Sequence, residues 1–231
     1  MGKTQSRALL VALGLIAALV WSACADRAVA ETGSMSFRLA RLEGRACGAR
    51  CPRVIVAQGV IEEDTPENFI AFLESMSPGA NVRDVVVLDS PGGRVVASMR
   101  LGAALRKLRA AVIVARFGDD DEVGLPTAGQ CMSACVYAMM GGVRRIVPPE
   151  SRLGIHRMSS QDSVGARGHG FGTTVTTTYA SPDMVSALAS YAAQMGVSPT
   201  VIRLAERIPP QDIHIVSASE LRRWRLASPK F

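Results

Sequence analysis

Lysine is nearly missing from this chain: Lys3, Lys107 and Lys230 are all it has in 231 residues. A lysine acting as base for a hydroxyl nucleophile therefore has few candidates. Lys107 reads as surface charge within a helix, and Lys230 stands at the extreme end. Aromatics are scarce at 5%, and the basic residues are scattered apart from "RKLR" (106–109), "VRR" (143–145) and "LRRWR" (221–225). Without an aromatic and basic platform, nucleic acid is excluded as a partner, and these clusters read as solvated helix faces. No apolar run reaches the about 20 residues that a membrane span needs. There is no GxxxxGK[ST] phosphate loop, no internal repeat and no long polar tract. Histidine occurs three times, as His156, His169 and His214.

The longest apolar run, Ala8–Trp21, follows Lys3 and Arg7 and precedes "AVA" at 28–30. A basic start, a short apolar stretch and small residues at a cleavage position are the marks of a secretory signal. Residues 1–30 are read as that signal, with a mature chain beginning near Glu31 in the periplasm or outside the cell. A lipoprotein anchor through Cys24 is the alternative. Of the net charge of +6, the first thirty residues carry +2 (Lys3, Arg7 and Arg27 against Asp26), leaving +4 on the remainder.

Export would permit disulfides among the four remaining cysteines, Cys47, Cys51, Cys131 and Cys135. "CGARC" (47–51) could close locally. Cys131 and Cys135, if helical, sit one turn apart with nearly parallel Cβ directions, which suits a bond poorly. Local pairing, cross-pairing and free thiols all stay open. The CxxxC pairs have loose spacing for zinc and no nearby histidine except His156, so no metal site is expected.

Hydrophobic patterning divides the chain into an edge segment, 31–52, and one α/β domain, 53–231. "RVIVAQGVI" (53–61) is β-branched and apolar, as a strand should be. "DTPENFIAFLESM" carries Pro66 in a first helical turn with Phe69, Ile70, Phe72 and Leu73 as its apolar cluster. "DVVVLDS" (84–90) is a nearly continuous apolar run, the mark of a strand covered on both faces. "RVVASMRLGAALRKLR" is a helix with Val95, Met99, Leu101, Leu105 and Leu108 inward. "AAVIVARF" (110–117) is a buried strand, and "GQCMSACVYAMMGG" (129–142) reads as a helix closed by glycines. Two short strands surround the Pro148 turn, and the Gly/Ser/Thr-rich residues 159–181 read as a long loop. Helices follow in "MVSALASYAAQMG", "SPTVIRLAERI" and "SASELRRWRLA". The alternation predicts a mainly parallel sheet built from repeated β-α units.

A serine hydroxyl becomes a nucleophile only with a base, donors for the developing oxyanion and fixed geometry. Ser133 stands near a predicted helix start, where free N–H groups favour negative charge. "SPGG" (90–93) ends a strand on a Gly-Gly turn whose N–H groups can come close to a substrate. His156 ends the strand after the Ser133 helix, so the two could meet at one sheet edge. His169, in the Gly-rich loop, reads as exposed, and His214 as the polar member of an alternating strand.

Taken together, "VVVLDSPGGRVVASMRLGAALR", "GQCMSAC", "PPESRLGIH" and "VSASELRRWRLAS" resemble the Clp protease proteolytic-subunit family, within the ClpP/crotonase superfamily. The likeness is nearest to exported ClpP-like proteins with SPGG and CxSAC motifs and runs from about Val54 to Leu226. It implies a ClpP/crotonase-like fold, Ser133 as nucleophile, His156 as general base, and an oxyanion hole from the N–H groups of Gly93 and Ala134. The third member of the family's triad is an Asp shortly before the Ser-Ala element. Here "LAERIPPQDIHIVSA" offers Asp212 first and Glu206 second, or neither. The resemblance further implies a peptide or unfolded protein as substrate, bound as an added strand beside Ser90, Pro91 and Gly92, no cofactor, and a homo-oligomer touching through 159–181. A non-catalytic binding or scaffold protein on the same fold is the rival expectation, and a crotonase-like acyl-CoA enzyme ranks behind it.

Overall fold

In the computed structural model the chain divides into two units, Met1–Thr32 and Gly33–Phe231. The described residues are 33–43, 51–77, 82–118, 122–165 and 173–228. The expected signal segment, Cys24, Cys47, His169 and Lys230 lie outside them. No helix among the described residues is long and apolar enough to cross a membrane.

A central sheet carries the domain. Strands β1 (Ser36–Leu42), β2 (Arg53–Gln58), β3 (Val82–Asp89), β4 (Ala111–Arg116) and the two-residue β5 (Val123–Gly124) and β6 (Thr127–Ala128) run in the order β5-β1-β2-β3-β4-β6. β8 (Arg144–Ile146) also pairs with β4. The inner pairs β2-β3, β3-β4 and β4-β8 are parallel, as are β1 and β5, while β1-β2 and β4-β6 are antiparallel. Mainly parallel pairing is what the β-α alternation predicts. The expected edge segment, 31–52, supplies β1, with only β5 outside it.

The continuous apolar runs have their reason in the two cores. Ile55, Ala57, Val86, Leu88, Val112 and Val114 face one cluster, while Val54, Val56, Val87 and Ala115 face a second with Ala40 and Phe117. Residues of one strand alternate between the clusters, so both faces of the sheet are covered and polar positions would be buried on either side. Helix α1 (Thr65–Ser75) buries Phe69 and leaves Ile70 exposed. Helix α2 (Val95–Lys107) buries Ala97, Ser98, Leu101, Gly102 and Leu105, with Val95, Met99 and Leu108 at the margin of the core.

A second, three-stranded sheet stands beside the first. It contains β7 (Gln130–Met132), β9 (Arg152–Ile155) and β12 (His214–Ile215) in the order β12-β9-β7. β7 and β9 are parallel, β12 and β9 antiparallel. The predicted helix over 129–142 is therefore a strand, a turn and a short helix, α3 (Cys135–Met140). The strand owes its existence to distant partners rather than to local propensity. Asp89 accepts the Gln130 N–H at 2.7 Å, Ser90 N–H bonds Gln130 O at 2.8 Å, and Met132 N–H bonds Ser90 O at 3.0 Å. These bonds join the two sheets at the SPGG end of β3.

The stretch read as a long loop is instead a ribbon of β10 (Ser159–Gly165) and β11 (Thr173–Tyr179), antiparallel with Ser159 opposite Tyr179. Helices α4 (Pro182–Gln194), α5 (Thr200–Ala205) and α6 (Ala218–Arg223) complete the domain. Arg145 pins the ends of α3, α4 and α6. Its guanidinium donates to the carbonyls of Met140, the last residue of α3, and Gly142 beyond it, Met195 after α4, and Arg225 and Leu226 after α6. The last carbonyls of a helix have no partner inside it and carry the negative end of its dipole, so a cation fits there. Burial, with the like charge of Arg106 second, lowers the Arg145 pKa to about 10.

Candidate active site

The site lies where β3, β7 and β9 end together. Ser133 follows β7 at φ +55°, a left-handed conformation that costs a residue with a Cβ about 1–2 kcal/mol. Two other non-glycine residues share such a φ among the described residues, Arg109 and Arg225. Both directly follow helix C-caps, Leu108 and Trp224, where left-handed residues are routine. Ser133 alone takes it at a strand-to-helix turn. That geometry exposes a serine hydroxyl at the head of a sheet, with the next residue's N–H beside it. The Ser133 N–H is held by Gly154 O at 2.8 Å, and its carbonyl accepts from Val136 N–H at 3.1 Å.

The SPGG turn is pinned from three sides. Gly92 N–H donates to Ser90 Oγ at 3.1 Å, Ile61 N–H donates to Gly92 O at 2.8 Å, and Arg94 N–H to Ile61 O at 2.7 Å. Gly92 and Gly93 have φ of +114° and +139°, and both are hemmed in. A Cβ on Gly92 would stand 2.8 Å from Met132 O and 3.0 Å from Ser133 Cβ, and one on Gly93 would run into Ile61. The first β3-side glycine thus touches the serine turn itself. Asp89, buried just before it, receives Arg116 Nη1 at 3.2 Å as well as Gln130 N–H.

Among the described residues, the N–H groups of Gly93 and Ala134 have no hydrogen-bond acceptor, while those of Gly92, Arg94, Met132 and Ser133 in the same two turns are bonded. These are the two donors expected for an oxyanion hole. The expected substrate edge fares otherwise. Ser90 has spent its N–H and C=O on Gln130 and Met132, Gly92 its own on Ser90 Oγ and Ile61, and Pro91 has no N–H to give. An added strand finds no free ladder there. Ser90, Pro91 and Gly92 build the turn rather than an open edge, because β7 and Ile61 already occupy both sides.

His156 directly follows β9, two residues past the Gly154 that holds the Ser133 amide. No hydrogen bond joins the Ser133 hydroxyl to the His156 ring, and His156 Nδ1 is buried without a partner among the described residues. Neither expected carboxylate reaches it. Asp212 is exposed, its N–H closing a turn onto Pro209 O at 3.0 Å. The β12-β9 register sets His214 against Ile155, so its next step sets Ile213, an apolar residue, against His156. Glu206 is engaged elsewhere: Oε2 lies 3.4 Å from Arg157 Nε, within ion-pair reach though not aligned for a hydrogen bond. Arg157 also stacks on the Tyr179 ring at 4.0 Å, tying the base of the β10-β11 ribbon to the residue after His156.

Of the cysteine pairings that the sequence left open, the structure takes the one that looked poorest. Cys131 and Cys135 are bonded to each other across the serine turn. The helical geometry that argued against this pairing does not exist, because Cys131 belongs to β7 and only Cys135 to α3. Cys51 is disulfide-bonded too, and its partner is not among the described residues. Ile213 was passed over. With Met132 Sδ it fills the space where Gly154 lacks a side chain, so one wall of the site is apolar. His214, read as a bland strand residue, bonds both carboxylate oxygens of Glu220 at 3.1 Å.

No protein-family model and no curated protein matches the chain. Among solved structures, the chain is similar to a mutant of the 1510-N membrane-bound stomatin-specific protease, 17% identical over 77% of this chain and 78% of that one, with a TM-score of 0.47. A second mutant of that protease, in complex with a substrate peptide, is 16% identical over 73% and 69% of the two chains (TM-score 0.42). A mutant of ClpP1 from Listeria monocytogenes is 16% identical over 75% of this chain and 88% of that one (TM-score 0.44).

Proposed function

We propose that the chain is an exported ClpP-like serine peptidase that hydrolyses peptides or unfolded protein through an acyl-enzyme, without an ATP-driven unfoldase. The observation that carries the reading is Ser133 in a left-handed strand-to-helix turn, beside the Gly93 and Ala134 amides, which have no acceptor among the described residues. Ser133 Oγ attacks the peptide carbonyl as its proton passes to His156. The carbonyl oxygen, now negative, is received by the Gly93 and Ala134 N–H groups, fixed before the substrate arrives. His156 returns the proton to the leaving amine, and water repeats the sequence on the ester. With no described residue to accept from Nδ1, the ring has no partner selecting its tautomer, and a triad relieved of that carboxylate loses on the order of 10⁴ in rate. The expected enzyme is a slow Ser133–His156 dyad.

The same orphaned Nδ1 favours a second reading, a non-catalytic binding protein that keeps the fold. The β10-β11 ribbon supports self-association in either case, since a two-stranded ribbon is marginal in water without further packing. A fluorophosphonate serine-hydrolase probe separates the two. Labelling of the oxidised wild type that disappears in Ser133→Ala and drops in His156→Ala supports the peptidase. A folded wild type that takes no label moves the assignment to the binding protein.

A further inference from the structure

The five residues Cys131–Cys135 form a ring closed by the disulfide, with Ser133 at its centre. Its two anchors belong to different elements. Cys131 is held within the sheets, bridged to Ser90 on one side and opposite Leu153 on the other. Cys135 is the first residue of α3. Both are completely buried. The bond therefore sets how far the start of the helix can move from the end of the strand, and the three residues between must turn within that span.

Hydrogen bonds hold only part of this turn. The Met132 and Ser133 amides are bonded to Ser90 and Gly154, whereas the Ala134 amide has no acceptor. Its direction follows from the ring and from α3. Left to itself, a serine in the left-handed region relaxes toward the β or right-handed region, and that relaxation would swing both Oγ and the Ala134 N–H. We propose that the Cys131–Cys135 disulfide is the positioning element for Ser133. It clamps the turn so that hydroxyl and oxyanion donor point into the site together, and the reactive serine belongs to the oxidised chain alone. The effect on reactivity rests on the peptidase reading, while the effect on the turn does not. Reduction by a dithiol breaks the S–S bond, delivers two electrons and two protons to form two thiols, and leaves the dithiol as its own disulfide.

The test compares the full-length wild type with Cys131→Ala/Cys135→Ala, well below both melting temperatures. Alanine is chosen because serine would bury two new hydroxyls. One readout is amide hydrogen exchange at residues 132–136 against β3 and β4, and the other is the second-order rate of fluorophosphonate labelling. Exchange at Ser133 should rise by about tenfold or more while the central strands stay protected. Labelling should fall by about 100-fold, the scale of an ångström's misplacement. A purely stabilising crosslink would lower the melting temperature and leave labelling at low temperature unchanged, which overturns the proposal, as would unchanged exchange at the turn. If the wild type never labels but exchange rises in the variant, the clamp stands and the peptidase reading falls. Should the variant not fold, dithiothreitol-reduced wild type replaces it, and labelling must then return on reoxidation.

Discussion

Replacing Gly92 by alanine tests the contact on which the site's geometry depends. The new methyl meets Met132 O at 2.8 Å, Ser133 Cβ at 3.0 Å and Ala134 N at 3.3 Å, from a backbone at φ +114°. Neither side can yield freely. The Gly92 carbonyl and amide are bonded to Ile61 and Ser90, and the facing turn is held by Gly154 and closed by the disulfide. Backbone strain of about 1–2 kcal/mol and overpacking of about 1–3 kcal/mol give a loss of roughly 2–5 kcal/mol. For a chain of this size that lowers the melting temperature by roughly 4–20 °C. Because the displaced atoms belong to Ser133 and Ala134, fluorophosphonate labelling should fall by about 100-fold even where the variant is fully folded. Gly196→Ala is the control: at φ +74° with nothing within 4 Å of its Cβ, it carries the backbone cost alone and leaves labelling untouched. If Gly92→Ala melts and labels like the wild type, SPGG and the serine turn do not meet as described, and the oxyanion assignment goes with them.

Arg145→Met keeps most of the side chain's bulk and removes the charge that gathers the ends of α3, α4 and α6. Arg106 still reaches Met140 O and Met195 O, but Gly142 O, Arg225 O and Leu226 O lose their donor. A loss of roughly 2–5 kcal/mol is expected, read as a lower urea midpoint at unchanged slope; an unchanged midpoint would refute the pin. Glu220 is pulled up by burial, but the Ser217 amide and hydroxyl and the His214 ring together outweigh it and hold the carboxyl below the usual range. Its stabilising contribution is therefore complete above about pH 4.3 and fades as pH falls through the lower folded value. Glu220→Gln should flatten the acid limb of stability against pH, and an identical acid limb would sink that account. Gly102→Ala drives a methyl into the Tyr191 hydroxyl that donates to Tyr137 O at 2.9 Å. Overpacking and a broken buried hydrogen bond make it destabilising by roughly 2–5 kcal/mol in denaturant unfolding, and wild-type stability would show that α2 and α3 are not packed this closely.

How much of this was written locally differs from element to element. β2, β3 and β4, with α1 and α2 between them, follow from apolar runs and from Pro66, Leu101 and Leu105, because a strand buried on both faces and an amphipathic helix each leave a pattern within ten or so residues. DSPGG was legible for the same reason: a strand end and a glycine pair adjoin in the chain. β7 was not. Its three residues become a strand only through bonds to Asp89, Ser90 and β9, none of them neighbours in sequence. From that one misread element came the helical picture of Cys131 and Cys135. Likewise β10 is serine-rich and β11 threonine-rich, and their pairing depends on register rather than composition.

The residue types at the candidate site were chosen by the sequence alone: one serine among small residues, one histidine after a short strand, two glycines free of any Cβ. Tertiary structure decided what each is next to. It set Ser133 in a strained turn under a disulfide, left the Gly93 and Ala134 amides without acceptors, and put Ile213 rather than Asp212 across from His156. A one-residue step in strand register exchanges a carboxylate for an alkyl group, and register is fixed by the burial of whole strands, which no local spacing records.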